Sequence, residues 1–286
     1  MARVLVAGCG YVGEAAANAF HENGWGVEGW TGTAESAAKL SDRPYPVKAV
    51  DVTSRSAVEE ASGQIDVVIH CVSSHGGDEE QYRRLYFEGA QNLLHAFSSA
   101  ALLFTSSTSV YAQRDGSVVD ESSPAEPPHE KGKILRETEE LVLAAGGIVA
   151  RLGGIHGPQR SFFLTRFLQG TFIGGPNDRL INQVHRDDIV SALLLLANRR
   201  AACAAEIFNV VADQPIKASV AREWLGARLG NRERRGAEED GQVRPRKRGE
   251  SNKQVSNRKL RALGWEPRYP TFEIAMTESI LPSFGF

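Results

Sequence analysis

The run Gly8-Cys9-Gly10-Tyr11-Val12-Gly13, directly behind the apolar stretch Val4-Leu5-Val6-Ala7, constrains this chain more than any other feature. The spacing G-x-G-x-x-G is weak by itself, because glycine is common. Between a strand pattern and a helical pattern it acquires a mechanism. The first glycine permits a tight turn, the second lets backbone approach a pyrophosphate, and the third lets the helix pack on the strand. The opening helix then offers unpaired N–H groups and the positive end of its dipole to an anion. Gly8, Gly10, Tyr11, Val12 and Gly13 are therefore expected to hold the phosphates of a dinucleotide. A plain strand-to-helix turn and the glycine loop of a methyltransferase are the competing readings, and preference for S-adenosylmethionine would mark the second.

The rest of the chain repeats the strand-helix alternation. A helix is expected over 11–21, strands over 25–31, 46–50, 65–70 and 101–105, and a helix over 81–97 with apolar residues at helical spacing. A helix ending at Gly146-Gly147 leads into a further strand at 148–150. Such alternation implies right-handed crossovers and parallel pairing. The expected fold class is α/β, a Rossmann-type doubly wound, mostly parallel sheet with a smaller C-terminal substrate lobe. The 286 residues suffice for both. Residues 1–155 are expected to form an NAD(P)-binding domain. Residues 156–286 form mainly the substrate-side lobe, opening with the Phe-, Gly- and Pro-rich stretch 157–176, and 187–211 return to the main sheet. The stretch 231–250, including Arg244-Pro245-Arg246-Lys247-Arg248 beside Glu238-Glu239-Asp240, reads as a solvated loop.

Charge and patterning narrow the partners. A formal net charge of -2 gives no footprint for nucleic acid. The longest later apolar run, 189–197, is too short to span a membrane, and the first strand meets its glycines too soon for an export signal. Cys9, Cys71 and Cys203 are odd in number and far apart, which argues against a disulfide framework or a metal site and for a reducing, cytoplasmic setting. A small-molecule substrate is the expected partner.

An NAD site places an acid at the end of the second strand, where it takes hydrogen bonds from the ribose diol. Here that position is Thr31, followed by Gly32-Thr33, while Glu28 lies inside the strand. With no acid to repel a 2′-phosphate, NADP is the expected cofactor and NAD the alternative.

Several further motifs together resemble the extended short-chain dehydrogenase/reductase superfamily, of the NAD-dependent epimerase/dehydratase type. Ser106-Ser107-Thr108-Ser109-Val110-Tyr111 is similar to its S-S-x-x-V-Y-G element, and Val119-Asp120-Glu121-Ser122-Ser123-Pro124 to its V-x-E-x-x-P continuation. Glu88-Gly89-Ala90-Gln91-Asn92-Leu93-Leu94 resembles E-G-T-x-N-L-L. Arg151 through Gly157-Pro158 resembles R-x-x-x-x-Y-G-P with His156 in the tyrosine place, and Val184-His185-Arg186-Asp187-Asp188 matches V-H-x-x-D. The resemblance implies that Asp51 contacts adenine, with Val52, Cys71, Val72, Ser106, Leu152 and Gly153 completing the cofactor contacts. It also puts Arg160 and Arg179 in the lobe where family members bind phosphates, with an ordinary surface role as the alternative, and implies that helices at 81–97 and 131–144 pair in a homodimer; His185, ahead of a helix cap at Asp187, is either a substrate contact or a structural residue that packs a turn and bonds backbone.

The resemblance breaks at the catalytic signature. The family's Y-x-x-x-K supplies a tyrosine acid/base and a lysine that lowers its pKa. In this chain Lys131 stands in the tyrosine slot and Leu135 in the lysine slot, and no tyrosine occurs between Tyr111 and Tyr269. Tyr86 replaces the family's asparagine, and Ser107 keeps the hydroxyl position. Ser107, Lys131 and Tyr111 are the candidate catalytic groups, Lys131 as a base if burial and Lys133 depress its pKa. The expected function is an NAD(P)-dependent oxidoreductase or epimerase/dehydratase-like enzyme with a non-standard active site, acting on a small, nucleotide-sugar-like substrate. A non-catalytic NAD(P)-binding sensor or scaffold is the alternative.

Overall fold

Alternate residues of the first strand point to opposite sides, and that alternation divides the core in two. Val4 and Val6 pack into one apolar cluster, Leu5 and Ala7 into another. A strand buried on both faces belongs at the centre of a sheet covered on both sides. The computed structural model, which describes residues 1–74, 76–170, 178–230 and 251–286, has this arrangement.

The sheet is built from β1 (Arg3–Ala7), β2 (Gly26–Thr31), β3 (Val47–Ala49), β4 (Val67–His70), β5 (Ala101–Ser107), β6 (Ile148–Leu152) and β7 (Ile207–Val210). Their order is β7-β6-β5-β4-β1-β2-β3, and every neighbouring pair runs parallel. The winding reverses between β1 and β4, the topological switch point where such sheets bind ligands. Helix α1 (Gly13–Glu22) covers one face with Ala16, Ala17 and Phe20. Helices α2 (Gly89–Ala96) and α3 (Glu130–Ala144) cover the other with Leu93, Ile134, Leu135 and Val142. Each fully buried aliphatic side chain contributes about 1.5–3 kcal/mol, so the two faces dominate stability.

The helix expected over 81–97 is interrupted. It starts at Glu79, where Asp78 caps the Gln81 N–H at 2.8 Å, and widens into a π-turn at Arg84–Glu88 before α2. Tyr86 lies in that turn, beside the rings of Tyr82, His70 and Phe104.

The longer described helices after β6 are α4 (Phe162–Leu168), α5 (Arg186–Asn198) and α6 (Ala218–Leu229). Helix α5 packs into the first cluster through Ile189, Leu193 and Leu196. Helices α4 and α6 build a third cluster, filled by Leu164, Phe167, Leu225, Tyr269, Phe272 and Met276. The charged stretch 231–250 and the segment 171–177 lie outside the described residues. No helix among the described residues is long and apolar enough to cross a membrane.

Candidate cofactor cleft at the switch point

The turn after β1 shows what each glycine does. Gly8 has φ +106, and a Cβ there would lie 2.6 Å from the Val72 amide nitrogen. A Cβ on Gly13 would collide with the Gly8 carbonyl oxygen and come within 2.9 Å of the Cys71 sulfur. A Cβ on Gly10 would have nothing within 4 Å. Two glycines are therefore demanded by internal packing, while the middle one faces open space. The first turn of α1 has no side-chain cap. An uncapped helix start behind an open glycine fits a pyrophosphate.

The ends of the neighbouring strands flank that turn. Ala7, His70 and Phe104 are level across β1, β4 and β5. Ser107, three residues further, extends about 10 Å beyond that level and is paired with Leu152. Ser107 is half-buried, and its Oγ accepts the Ser109 N–H at 3.2 Å. At the β2 end, Thr31 is buried and donates to the Thr33 carbonyl at 3.1 Å. Glu28 is held inside the strand by Trp30 Nε1 at 2.7 Å and Lys48 at 2.9 Å. Asp51 is exposed behind β3 and accepts the Thr53 N–H at 2.9 Å, and the adjacent Val52 is buried with its carbonyl bonded to Asn92. Behind β4, Cys71 donates to the Gly8 carbonyl at 3.3 Å, and Val72 follows it under the glycine loop.

Other expected residues sit differently. Ser106 is buried and gives its hydroxyl to Glu139 at 2.6 Å, so only its backbone remains for a cofactor. Tyr111 is fully buried, donates to Asn209 Oδ1 at 3.0 Å and lies under the Arg151 guanidinium, a placement that removes it as a proton donor at the cleft. The cause is Arg151: a charged residue inside β6 needs Glu139 and a polarisable ring around it once buried. Leu152 is part of the core, and Gly153 is covered by the Asn182 carbonyl and Val211. Lys131 is half-buried, bonded to the Gly77 carbonyl and stacked over Tyr82 at 5.6 Å. Leu135 is buried in the second cluster.

His185 is fully buried, with both ring nitrogens engaged. Its Nδ1 accepts the Asp187 N–H at 3.1 Å, capping α5, and its Nε2 donates to Ser279 at 2.9 Å while the ring stacks on Tyr269. Arg160 is exposed, with its guanidinium 5.0 Å from the centre of the Tyr11 ring, and Arg186 lies 5.1 Å from that centre. Tyr11 also donates to the Pro158 carbonyl at 2.9 Å. The glycine loop is thus tied to the 157–160 turn and to the first residue of α5, a connection with no sequence signal beyond an aromatic in a variable slot. Arg179 is half-buried near Lys253.

Three histidines here are held below their ordinary value, first by burial. His70 is lowered to about 4 and His156 to about 3, and His185 is lowered as well. A histidine kept neutral in the folded state contributes stability that is complete above pH about 6.5 and is lost as pH falls toward the folded value. Asp188, pushed up to about 6 by burial, acts in the opposite sense: its cost to folding is relieved as pH falls from 6 toward 4. The three histidines outnumber the carboxylates that burial raises, Asp188 and Glu121, and predict a net loss of stability as pH falls from 6.5 toward 4. Thermal melts across that range should show a falling midpoint; a flat profile contradicts the assignment.

Residues 4–137 match the NAD dependent epimerase/dehydratase family, as the sequence motifs imply. Protein YeeZ of Escherichia coli strain K12 is 28% identical over 230 residues, covering 74% of this chain and 78% of that protein. UDP-glucose 4-epimerase from Thermotoga maritima, solved with UDP-glucose, superposes with a TM-score of 0.82 at 19% identity, covering 99% of this chain and 98% of its own. The UDP-glucose 4-epimerase of Thermus thermophilus, solved with NAD, gives 0.79 at 20% identity with 96% of each chain covered. At these identities the two structures establish a shared fold.

Proposed function

We infer that this chain, which carries the NAD dependent epimerase/dehydratase family's sequence over residues 4–137, binds a nicotinamide dinucleotide and acts as an oxidoreductase or epimerase/dehydratase-like enzyme on a small, nucleotide-sugar-like substrate. The observation that carries the reading is the contrast between cramped Gly8 and Gly13 and open Gly10 at the switch point. The backbone of residues 8–13 would hold the pyrophosphate, with Asp51 toward adenine. The solved relatives that carry NAD or UDP-glucose support the class of ligand. When bound, the cofactor supplies hydride transfer.

NADP is favoured over NAD. Glu28 is committed to Trp30 and Lys48, and Thr31 offers a hydroxyl in place of a carboxylate that would repel a 2′-phosphate. For the chemistry, Ser107 supplies a hydroxyl at the cleft edge, and Lys131 is the one charged group in the usual acid/base slot. The binding-only alternative draws on Lys131 being bonded to the Gly77 carbonyl and on Leu135 being apolar and buried.

Calorimetry with NADP+ and NAD+, followed by NADPH turnover with ketones and sugar nucleotides, separates the readings. NADP+ is expected to bind at least tenfold more tightly than NAD+, and activity to fall by about 10²-fold or more in Ser107→Ala and Lys131→Ala. Turnover at background with intact cofactor binding would leave the sensor or scaffold. Absence of binding by either dinucleotide would end both.

A further inference from the structure

The turn from Gly157 to Arg160 leans on the phosphate loop and brings positive charge to it. A Cβ on Gly157 would lie 2.6 Å from the Tyr11 hydroxyl, so it is glycine there that lets the two turns meet. Gly157 and Arg160 exchange both backbone hydrogen bonds, at 2.9 and 3.0 Å, and the Gln159 N–H donates to Ser283 Oγ at 2.9 Å. Arg160 therefore springs from a turn that is fixed against Tyr11. Its guanidinium stands 5.0 Å, and that of Arg186 5.1 Å, from the centre of the one ring.

Two like charges about one ring repel, and only part of that charge is offset. Arg186 gives its Nε to Asp187 Oδ1 at 2.9 Å. Arg160 is exposed and has neither an ion pair nor a side-chain hydrogen bond among the described residues, so its five N–H donors are unspent. The loop beneath is equally short of partners. The Gly10 N–H bonds the Gly8 carbonyl and the Glu14 N–H bonds the Gly10 carbonyl, whereas the N–H groups of Tyr11, Val12 and Gly13 between them have no acceptor among the described residues. Free amides and an unpaired guanidinium thus converge on Tyr11.

We propose that Arg160, together with Arg186, clamps the pyrophosphate of the dinucleotide over Tyr11, so that the substrate-side lobe supplies countercharge to the cradle of residues 8–13. This rests on the reading of those residues as the dinucleotide site and adds two residues to it. Backbone amides and a helix end bring only partial charges to a group that is charged on each phosphate. A guanidinium brings a full charge and a planar fork of donors that matches phosphate oxygens. Stacked on the loop's own aromatic ring, it is already held beside the place where the anion arrives, and little side-chain freedom remains to be lost. Tyr11 then has two tasks: its ring carries the arginines, and its hydroxyl holds the turn through the Pro158 carbonyl at 2.9 Å. Arg160 serves the cofactor rather than the substrate.

The test is calorimetric titration of the full chain with NADP+, NAD+ and ADP-ribose, the last of which keeps the pyrophosphate and lacks the nicotinamide. Arg160→Gln is expected to weaken all three by a common factor of about tenfold or more, the range for a charge-assisted hydrogen bond. Arg186→Gln, whose residue is half committed to Asp187, should weaken all three by a smaller common factor. Raising the ionic strength should cost the wild type more affinity for ADP-ribose than it costs Arg160→Gln, a difference that a merely loosened turn would not produce. Loss confined to NADP+ would put Arg160 at the 2′-phosphate, and unaltered affinity for all three would leave it to the substrate or to solvent. Either result overturns the proposal, as do indifference to Arg186→Gln and equal salt slopes. Failure of all three ligands to bind the wild type overturns the cofactor reading and the clamp with it, whereas wild-type binding that the variants share overturns the clamp alone.

Discussion

Replacing Glu139 with alanine is expected to destabilise the protein by about 3–5 kcal/mol, the range for removing one partner of a buried ion pair. Glu139 is fully buried and accepts from Arg151 Nε at 3.0 Å and Nη2 at 2.7 Å, from the Ser106 hydroxyl at 2.6 Å, and from Arg136. The alanine would leave Arg151, 1% exposed, with only the Tyr111 ring against its charge. Urea unfolding monitored by circular dichroism measures the loss. The double variant Glu139→Leu with Arg151→Met should recover much of it, because it removes the stranded charge as well as its partner. A single-variant loss below about 1 kcal/mol would mean that water reaches the guanidinium.

The second large effect separates the two kinds of glycine in the phosphate turn. Gly13→Ala is expected to lower both thermal stability and cofactor affinity, the latter by about 100-fold or roughly 2.7 kcal/mol, since its Cβ has no room against the Gly8 carbonyl and the Cys71 sulfur. Gly10→Ala should leave the melting midpoint within about 1 °C of wild type, a surface substitution by its environment, while still weakening the dinucleotide tenfold or more. Its methyl would project where nothing now stands within 4 Å. Equal effects of the two substitutions on stability, or a Gly10→Ala protein with unaltered affinity, would contradict the cradle.

The contrast also marks what the amino-acid pattern can disclose. Strands such as Val67–His70 are legible because continuous apolar runs bounded by loops have one stable home, a parallel sheet covered on both faces. The glycine turn is legible because its geometry is local. Long-range polar pairing is not local, and there the pattern misleads. Tyr111 follows two serines in a motif suggestive of chemistry, but its phenol is claimed by Asn209, 98 residues away. Ser106 and Ser107 are chemically identical neighbours whose fates diverge because successive strand residues face opposite sides, one toward Glu139 and one toward the cleft edge. His185, legible either as a substrate contact or as a residue that packs a turn, caps α5 and is fixed by Ser279, 94 residues away. Lys253 stands in a polar run and lies inside. In each case the deciding neighbour is remote in the chain or hidden from its pattern.

The last strand of the sheet has a consequence for how the molecule is made. β7 comes from Ile207–Val210 and pairs with β6, all five of whose residues are buried. During synthesis, at about 5–20 residues per second, β6 leaves the ribosome well before its partner. For several seconds the nascent chain carries a long apolar edge with open hydrogen-bonding groups, the kind of surface that recruits other strands. Expression that outpaces chaperone supply should therefore yield inclusion bodies, and a chain halted between residues 152 and 207 should be the species found there.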